Sequence, residues 1–232
     1  MPSETRGLTI HECKHCGAGA PIDAHFCPQC EKILSVTRHG NYFSFFGLPR
    51  KLDIDLEDLE QRFRLLSRQF HPDYFYNATP AERVASLERA SYLNDAYRTL
   101  RQPIARMEYL LKIEGLPLQR RDQVPAEVPA ELLEEVFELN EELEQIGEAR
   151  ETGAPAAELR SRLESARRPI DERRAAHERQ LQELSDRWDT LVDQRAPAAE
   201  RRATLEEMRA RLLERSYINN LLATLQRELE RG

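Results

Sequence analysis

The chain has 232 residues, a net charge of −7, and charged side chains at 32% of its positions. The acidic balance argues against nonspecific DNA or RNA binding, which needs an excess of Lys and Arg. With only 9 Gly and 7% aromatics, the composition is that of long helices rather than of a β-sandwich, in two domains or one domain with an appendage.

The start, Met1-Pro2-Ser3-Glu4-Thr5-Arg6, has no apolar leader segment, and Glu4 and Glu12 count against an Arg-rich transit peptide. No apolar run is long enough to cross a bilayer. The expectation is a cytoplasmic, bacterial protein with no membrane partner. All four cysteines follow at once, as Cys13-x2-Cys16 and Cys27-x2-Cys30. Each pair can close a tight knuckle that aims two thiolates at one ion, and two knuckles complete the tetrahedron preferred by structural zinc. Cys13, Cys16, Cys27 and Cys30 are therefore expected to bind zinc, with two disulfides or rubredoxin-like iron as the alternatives. A segment this short cannot build its own core, so the metal would supply folding energy. His11, His15 and His25 are expected at the surface or behind the ligands.

Asn41 can cap a short aromatic helix, Tyr42-Phe43-Ser44-Phe45-Phe46, which Gly47 and Pro49 end. Asp55 caps the next helix, whose apolar stripe is Leu56, Leu59, Phe63, Leu66 and Phe70, with Arg62, Arg64 and Arg68 forming a basic solvent face. Pro72 forces its neighbour out of the α region and stops that helix. Thr79-Pro80-Ala81-Glu82 reads as a capping box with Pro at the first helical position. The stripe of the second helix is Val84, Leu87, Leu93, Ala96, Tyr97 and Leu100. The two helices are expected to pack as an antiparallel hairpin with His71-Pro72-Asp73 at its exposed tip. Two readings of that tripeptide are open: a docking surface, or a local turn in which His71 caps a helix end.

Prolines between 115 and 129 predict an extended connection. Beyond it, Leu132, Val136, Leu139, Leu143 and Ile146 form a heptad-like stripe. Leu133 and Phe137 lie one residue off it, as added core or as an exposed binding patch. A second helix, roughly 156–195, carries Leu159, Leu163, Ala166, Ile170, His177, Leu181, Leu184, Trp188 and Leu191, with a kink expected at Pro169. His177 reads as a packed core residue. The last helix carries Leu205, Met208, Leu212, Ile218, Leu222, Leu225 and Leu229. The expectation is a three-helix bundle whose last helix runs antiparallel to its first, bringing Tyr217 towards Leu133.

Residues 41–112 resemble a J-domain, on the basic helix, the His71-Pro72-Asp73 loop and the ending Asn94-Asp95-Ala96-Tyr97-Arg98-Thr99-Leu100. Tyr42-Phe43-Ser44-Phe45-Phe46-Gly47-Leu48-Pro49 and Arg106-Met107-Glu108-Tyr109-Leu110-Leu111 are similar to segments of one branch, the HscB family of iron–sulfur co-chaperones. The resemblance implies an all-α fold in which a zinc-ribbon-like module (1–38) precedes a J-domain hairpin (39–114), a linker (115–129) and a three-helix scaffold-binding domain (130–232). The cysteine module itself resembles the extension of mitochondrial-type members. It further implies that His71, Pro72, Asp73, Arg62, Arg64 and Arg68 bind an HscA/DnaK-class ATPase chaperone and stimulate its ATPase. Leu133, Phe137 and Tyr217 would bind the scaffold protein IscU, although Tyr217 also fits bundle packing. Two positions depart from the family pattern: Tyr74 stands where Lys follows the tripeptide, and Glu134 where Met is usual.

An enzyme is not expected, because the chain shows no nucleophile–base pair, phosphate-cradling Gly loop or open metal site. A J-domain protein with another client is the second reading, and a zinc-ribbon adaptor for nucleic acid the third, disfavoured by charge. The oligomeric state, a homodimer included, is left open.

Overall fold

The structure, a computed structural model, describes residues 10–36, 40–118 and 130–231. The reading of the first residues, the linker from 119 to 129, and the side chains of His11, Glu131, Leu132 and Glu135 lie outside the described residues. The chain divides into two compact units, Met1–Ile113 and Glu114–Gly232.

The first unit opens with a small ribbon. Strands β1 (Ile10–Glu12) and β2 (Gly19–Pro21) pair antiparallel with His11 opposite Ala20, and a further bridge joins Phe26 to Ile33. Helix α1 (Tyr42–Phe45) has Asn41 and Ser44 in a reciprocal capping box. Helix α2 (Leu56–Gln69) is capped by Asp55, which accepts from the N–H groups of Glu57 and Asp58. Helix α3 (Pro80–Leu100) has the Thr79–Glu82 capping box, and α4 (Pro103–Ile113) folds back after it. Phe43, Phe45, Leu59, Leu66, Phe70, Leu93, Ala96, Leu100, Leu110 and Leu111 are buried. Tyr109 fixes α1 from α4: its hydroxyl accepts from the Tyr42 N–H at 2.9 Å and its ring stacks on Tyr42 at 4.2 Å.

The early half of the α3 stripe is corrected. Val84 and Leu87 are 53% and 58% exposed, while Ala85, Ser86 and Arg89 are buried. The reason lies outside α3. The cysteine module covers the Ala85/Arg89 face, where Arg89 donates to the carbonyls of Ala24, Leu34 and Ser35. Burial of a face follows what is laid against it, and here the covering segment is more than fifty residues away in the chain. Leu56 is likewise exposed rather than part of the α2 stripe.

The second unit is built on α5 (Ala130–Glu151), α6 (Ala156–Asp193) and α7 (Ala198–Glu230). Leu139, Ile146, Leu159, Leu163, Ile170, Ile218, Leu222 and Leu225 form its core. Helix α6 continues through Pro169 for 38 residues, about 57 Å at 1.5 Å per residue. Two successive hairpins return the chain to its first direction. The salt bridge from Arg150 to Glu228 at 3.0 Å joins the last turns of α5 and α7, so these helices run parallel. The expected antiparallel course of α7 against α5 is thereby corrected. Tyr217 packs against the bundle core.

Candidate functional sites

The four cysteines converge. Their Sγ atoms all lie within 4.8 Å of one another, with Cys13 to Cys30 at 3.8 Å and Cys16 to Cys27 at 3.7 Å. A tetrahedral zinc with ligands at about 2.3 Å requires sulfur–sulfur edges of about 3.8 Å, so the cluster fits such an ion. Disulfides would need sulfurs about 2.05 Å apart, and all four thiols are free. The knuckles are alike in detail. The Gly17 N–H donates to the Cys13 carbonyl at 2.8 Å, and the Glu31 N–H to the Cys27 carbonyl at 2.9 Å. Both residues take left-handed backbone, φ +75° at Gly17 and +59° at Glu31. The backbone N–H of Cys30 pulls the Cys27 thiol down to about 7, which favours the thiolate that metals bind.

The histidines around the cluster part company. His15 is exposed. His25, expected at the surface or behind the ligands, is half-buried and turns inward. Its ring meets Phe45 and Phe70 edge-on at 4.8 and 5.0 Å, and its Nδ1 accepts from the Arg89 guanidinium at 2.7 Å. Burial first, and then the Arg89 charge, push its pKa down to about 4.

His71, Pro72 and Asp73 sit between α2 and α3, where Pro72–Phe75 form a single 3-10 turn. The His71 Nδ1 accepts from the Asp73 N–H at 3.3 Å, and the Asp73 carboxylate lies 3.5 Å from the same nitrogen. The imidazole thus caps the turn, yet both side chains remain exposed, His71 at 55%. Phe70, directly before it, is fully buried and its carbonyl accepts from the Ser86 hydroxyl at 2.7 Å. The exposed tip therefore stands on an anchored base.

The basic face of α2 is weaker than its arginines suggest. Arg64 pairs with Glu60 at 2.6 Å. Arg62 pairs with Asp58 at 2.8 Å and donates to the Phe46 carbonyl at 2.9 Å, tying α2 to the end of α1. Arg68 is exposed in the last turn. On α5, Leu133 and Phe137 are 42% and 72% exposed, with Glu134 exposed between them, whereas Tyr217 on α7 is half-buried.

No family model matches the chain. Solved structures do. The crystal structure of the human co-chaperone protein HscB superposes with a TM-score of 0.62 at 25% identity, covering 93% of this chain and 97% of that one. The chaperone HscB from Vibrio cholerae superposes with a TM-score of 0.50 at 26% identity, covering 83% and 99%. The chain therefore shares its fold with these HscB co-chaperones over most of its length.

Within this HscB-type fold, the Asn94/Ala96/Tyr97/Leu100 pattern has a packing cause. Ala96 and Leu100 are fully buried, and Tyr97 stacks on Phe63 at 4.2 Å, joining α3 to α2. Sequence reasoning missed Arg89, Ser86 and the pairing of Lys32 with Glu82 at 3.0 Å. Arg89 carried a signal, since a lone arginine four residues after Ala85 and four before Leu93 is in phase with a buried stripe. Among the described residues, no helix is long and apolar enough to cross a membrane.

Proposed function

We propose that the chain is a J-type co-chaperone of iron–sulfur cluster assembly that acts as a two-ended adaptor. One end is the His71-Pro72-Asp73 turn, which engages an HscA/DnaK-class chaperone and triggers its ATP hydrolysis. Arg62, Arg64 and Arg68 assist through long-range attraction to an acidic groove, with Arg68 outside the acidic pairing that, among the described residues, engages the other two. The other end is the α5 patch of Leu133 and Phe137, joined by Tyr217, which binds the scaffold IscU. The chain has no active site of its own in this reading. It raises the local concentration of scaffold at the chaperone and times hydrolysis to its arrival.

The observation that supports the reading best is the exposed, proline-stiffened turn at the tip of a helical hairpin, in a chain whose fold is that of HscB over most of its length. The exposure of Phe137 supports the second end, because a large apolar ring held in solvent marks an interface. The four thiolates suit zinc, which when bound supplies a structural cross-link between the two knuckles and no open coordination position for catalysis. The working boundaries are a metal module to residue 38, a J-domain to 114, a linker to 129 and a scaffold-binding bundle thereafter.

The test is His71→Gln. The variant should lose ATPase stimulation of the cognate chaperone while binding IscU as the parent does. Normal stimulation by the variant would sink the proposal. A scaffold that fails to bind the parent chain would transfer the J-type role to a different client.

A further inference from the structure

The loop from His71 to Thr79 is held at both ends by the metal module, and both holds flank one knuckle. At the entry, Phe70 is fully buried. Its ring is contacted by His25 at 5.0 Å and Phe26 at 6.1 Å, with the Arg89 guanidinium 5.6 Å from the ring centroid. At the exit, Glu82 closes the capping box by accepting from the Thr79 N–H and hydroxyl at 3.2 and 2.8 Å. The same carboxylate is paired with Lys32 at 3.0 Å and is 7% exposed. His25 and Phe26 immediately precede Cys27, and Lys32 closely follows Cys30. The bridge between Phe26 and Ile33 closes this second knuckle into a hairpin. Arg89 locks the hairpin down through the carbonyls of Ala24, Leu34 and Ser35.

We propose that metal occupancy of the cysteine cluster sets the order of the His71-Pro72-Asp73 loop, through the Phe70 socket at its entry and the Lys32–Glu82 strut at its exit. The inference rests on the co-chaperone reading for its biological meaning, since the loop it controls is the proposed trigger. The physical basis is linkage. An ion that binds only the folded knuckle stabilises whatever packs on that knuckle. Without an ion nothing bridges the four sulfurs, which come from two separate knuckles and lie within 4.8 Å of one another, so an empty site is free to relax. The wall of the Phe70 socket and the partner of Glu82 then go with it. The coupled element is local, because α4 is tied to α1 by the Tyr42/Tyr109 stack and hydrogen bond, which use no residue of the module. Metal supply would thus decide whether the chain can act on its chaperone.

The experiment is amide hydrogen exchange on the full chain, zinc-loaded and after stripping with a chelator. Exchange across residues 71–79 should accelerate roughly tenfold on stripping, a typical size for coupling between sites, while α4 keeps its protection. An unchanged loop overturns the proposal. So does a uniform loss across the whole first unit, which would make the metal a general stabiliser. A second variant separates strut from ion. Phe26→Ala with Lys32→Ala keeps all four thiols, and its zinc content is measured directly. When zinc-loaded, its loop should exchange as the stripped parent does; a loop still protected there also overturns the brace. A zinc-responsive loop in a chain that stimulates no ATPase would instead overturn the co-chaperone reading and leave the brace intact.

Discussion

The imidazole of His177 donates from Nε2 to the carbonyl of Arg211 at 2.7 Å, tying α6 to α7. A carbonyl can only accept, so Nε2 carries the proton and Nδ1 is left as a buried lone pair without a partner. Burial lowers the His177 pKa from its ordinary 6.5, with the Glu214 carboxylate opposing and the Arg211 and Arg215 charges assisting.

The sign of the resulting pH effect follows from linkage. A histidine with a lowered folded pKa stabilises as its neutral form, so its contribution is complete above pH 6.5 and is lost as pH falls below that value. Urea unfolding of the second unit should therefore show a drop in stability from pH 7 to pH 5.5 that His177→Gln flattens. Trp188 is the sole tryptophan and is 1% exposed, so its emission reports this unit alone. Equal slopes for parent and variant would refute the assignment.

Arg89 should be costly to remove. Arg89→Ala leaves the carbonyls of Ala24, Leu34 and Ser35 and the nitrogen of His25 without their donor, a loss of about 2–4 kcal/mol. Arg89→Lys should recover less than half of it, because an ammonium cannot reproduce the planar fork. Calorimetry of the first unit's transition measures both. A loss below about 1 kcal/mol for the alanine variant would show that water replaces the guanidinium.

Phe137→Ala should separate stability from binding. The ring is 72% exposed, so thermal stability should change by no more than about 0.5 kcal/mol. Affinity for IscU in titration calorimetry should fall at least roughly tenfold, the scale of an interface hot spot. Unchanged affinity would place the scaffold contact elsewhere.

The cysteine cluster should hold one zinc per chain by elemental analysis. Cobalt substitution should give the strong visible absorption of a tetrahedral thiolate site. Cys16→Ser should weaken retention of the ion against a chelator. A stoichiometry near zero in protein purified without chelator would count against the site.

Much of the helical order was readable because its causes are local. Asp55, the Thr79–Glu82 box and the stop at Pro72 each act within a turn of themselves, and each appears where the residues called for it. The cysteine tetrad was readable because spacing alone brings thiols together. What was not readable depends on partners remote in sequence. Val84 and Leu87 match the helical period as well as Ala85 and Arg89 do, and only the docked module decides between the two faces. Arg62 looked like solvent charge because its acceptor, the Phe46 carbonyl, is a backbone group with no sequence signature. The parallel course of α5 and α7 is a matter of counting hairpins rather than of any residue's preference.

The two knuckles differ at one backbone position. Gly17 adopts left-handed backbone freely, whereas Glu31 in the same place pays about 1–2 kcal/mol for it. In an empty site the second half would therefore gain more than the first by leaving this shape. An ion held by both knuckles would have to keep Glu31 at φ +59° against that cost. Glu31→Gly should then raise zinc affinity in chelator competition by roughly fivefold, the strain removed less the added freedom of glycine. The chain thus carries a set point for metal capture at a residue that touches no ligand atom, and that set point lies in the half that carries His25, Phe26 and Lys32.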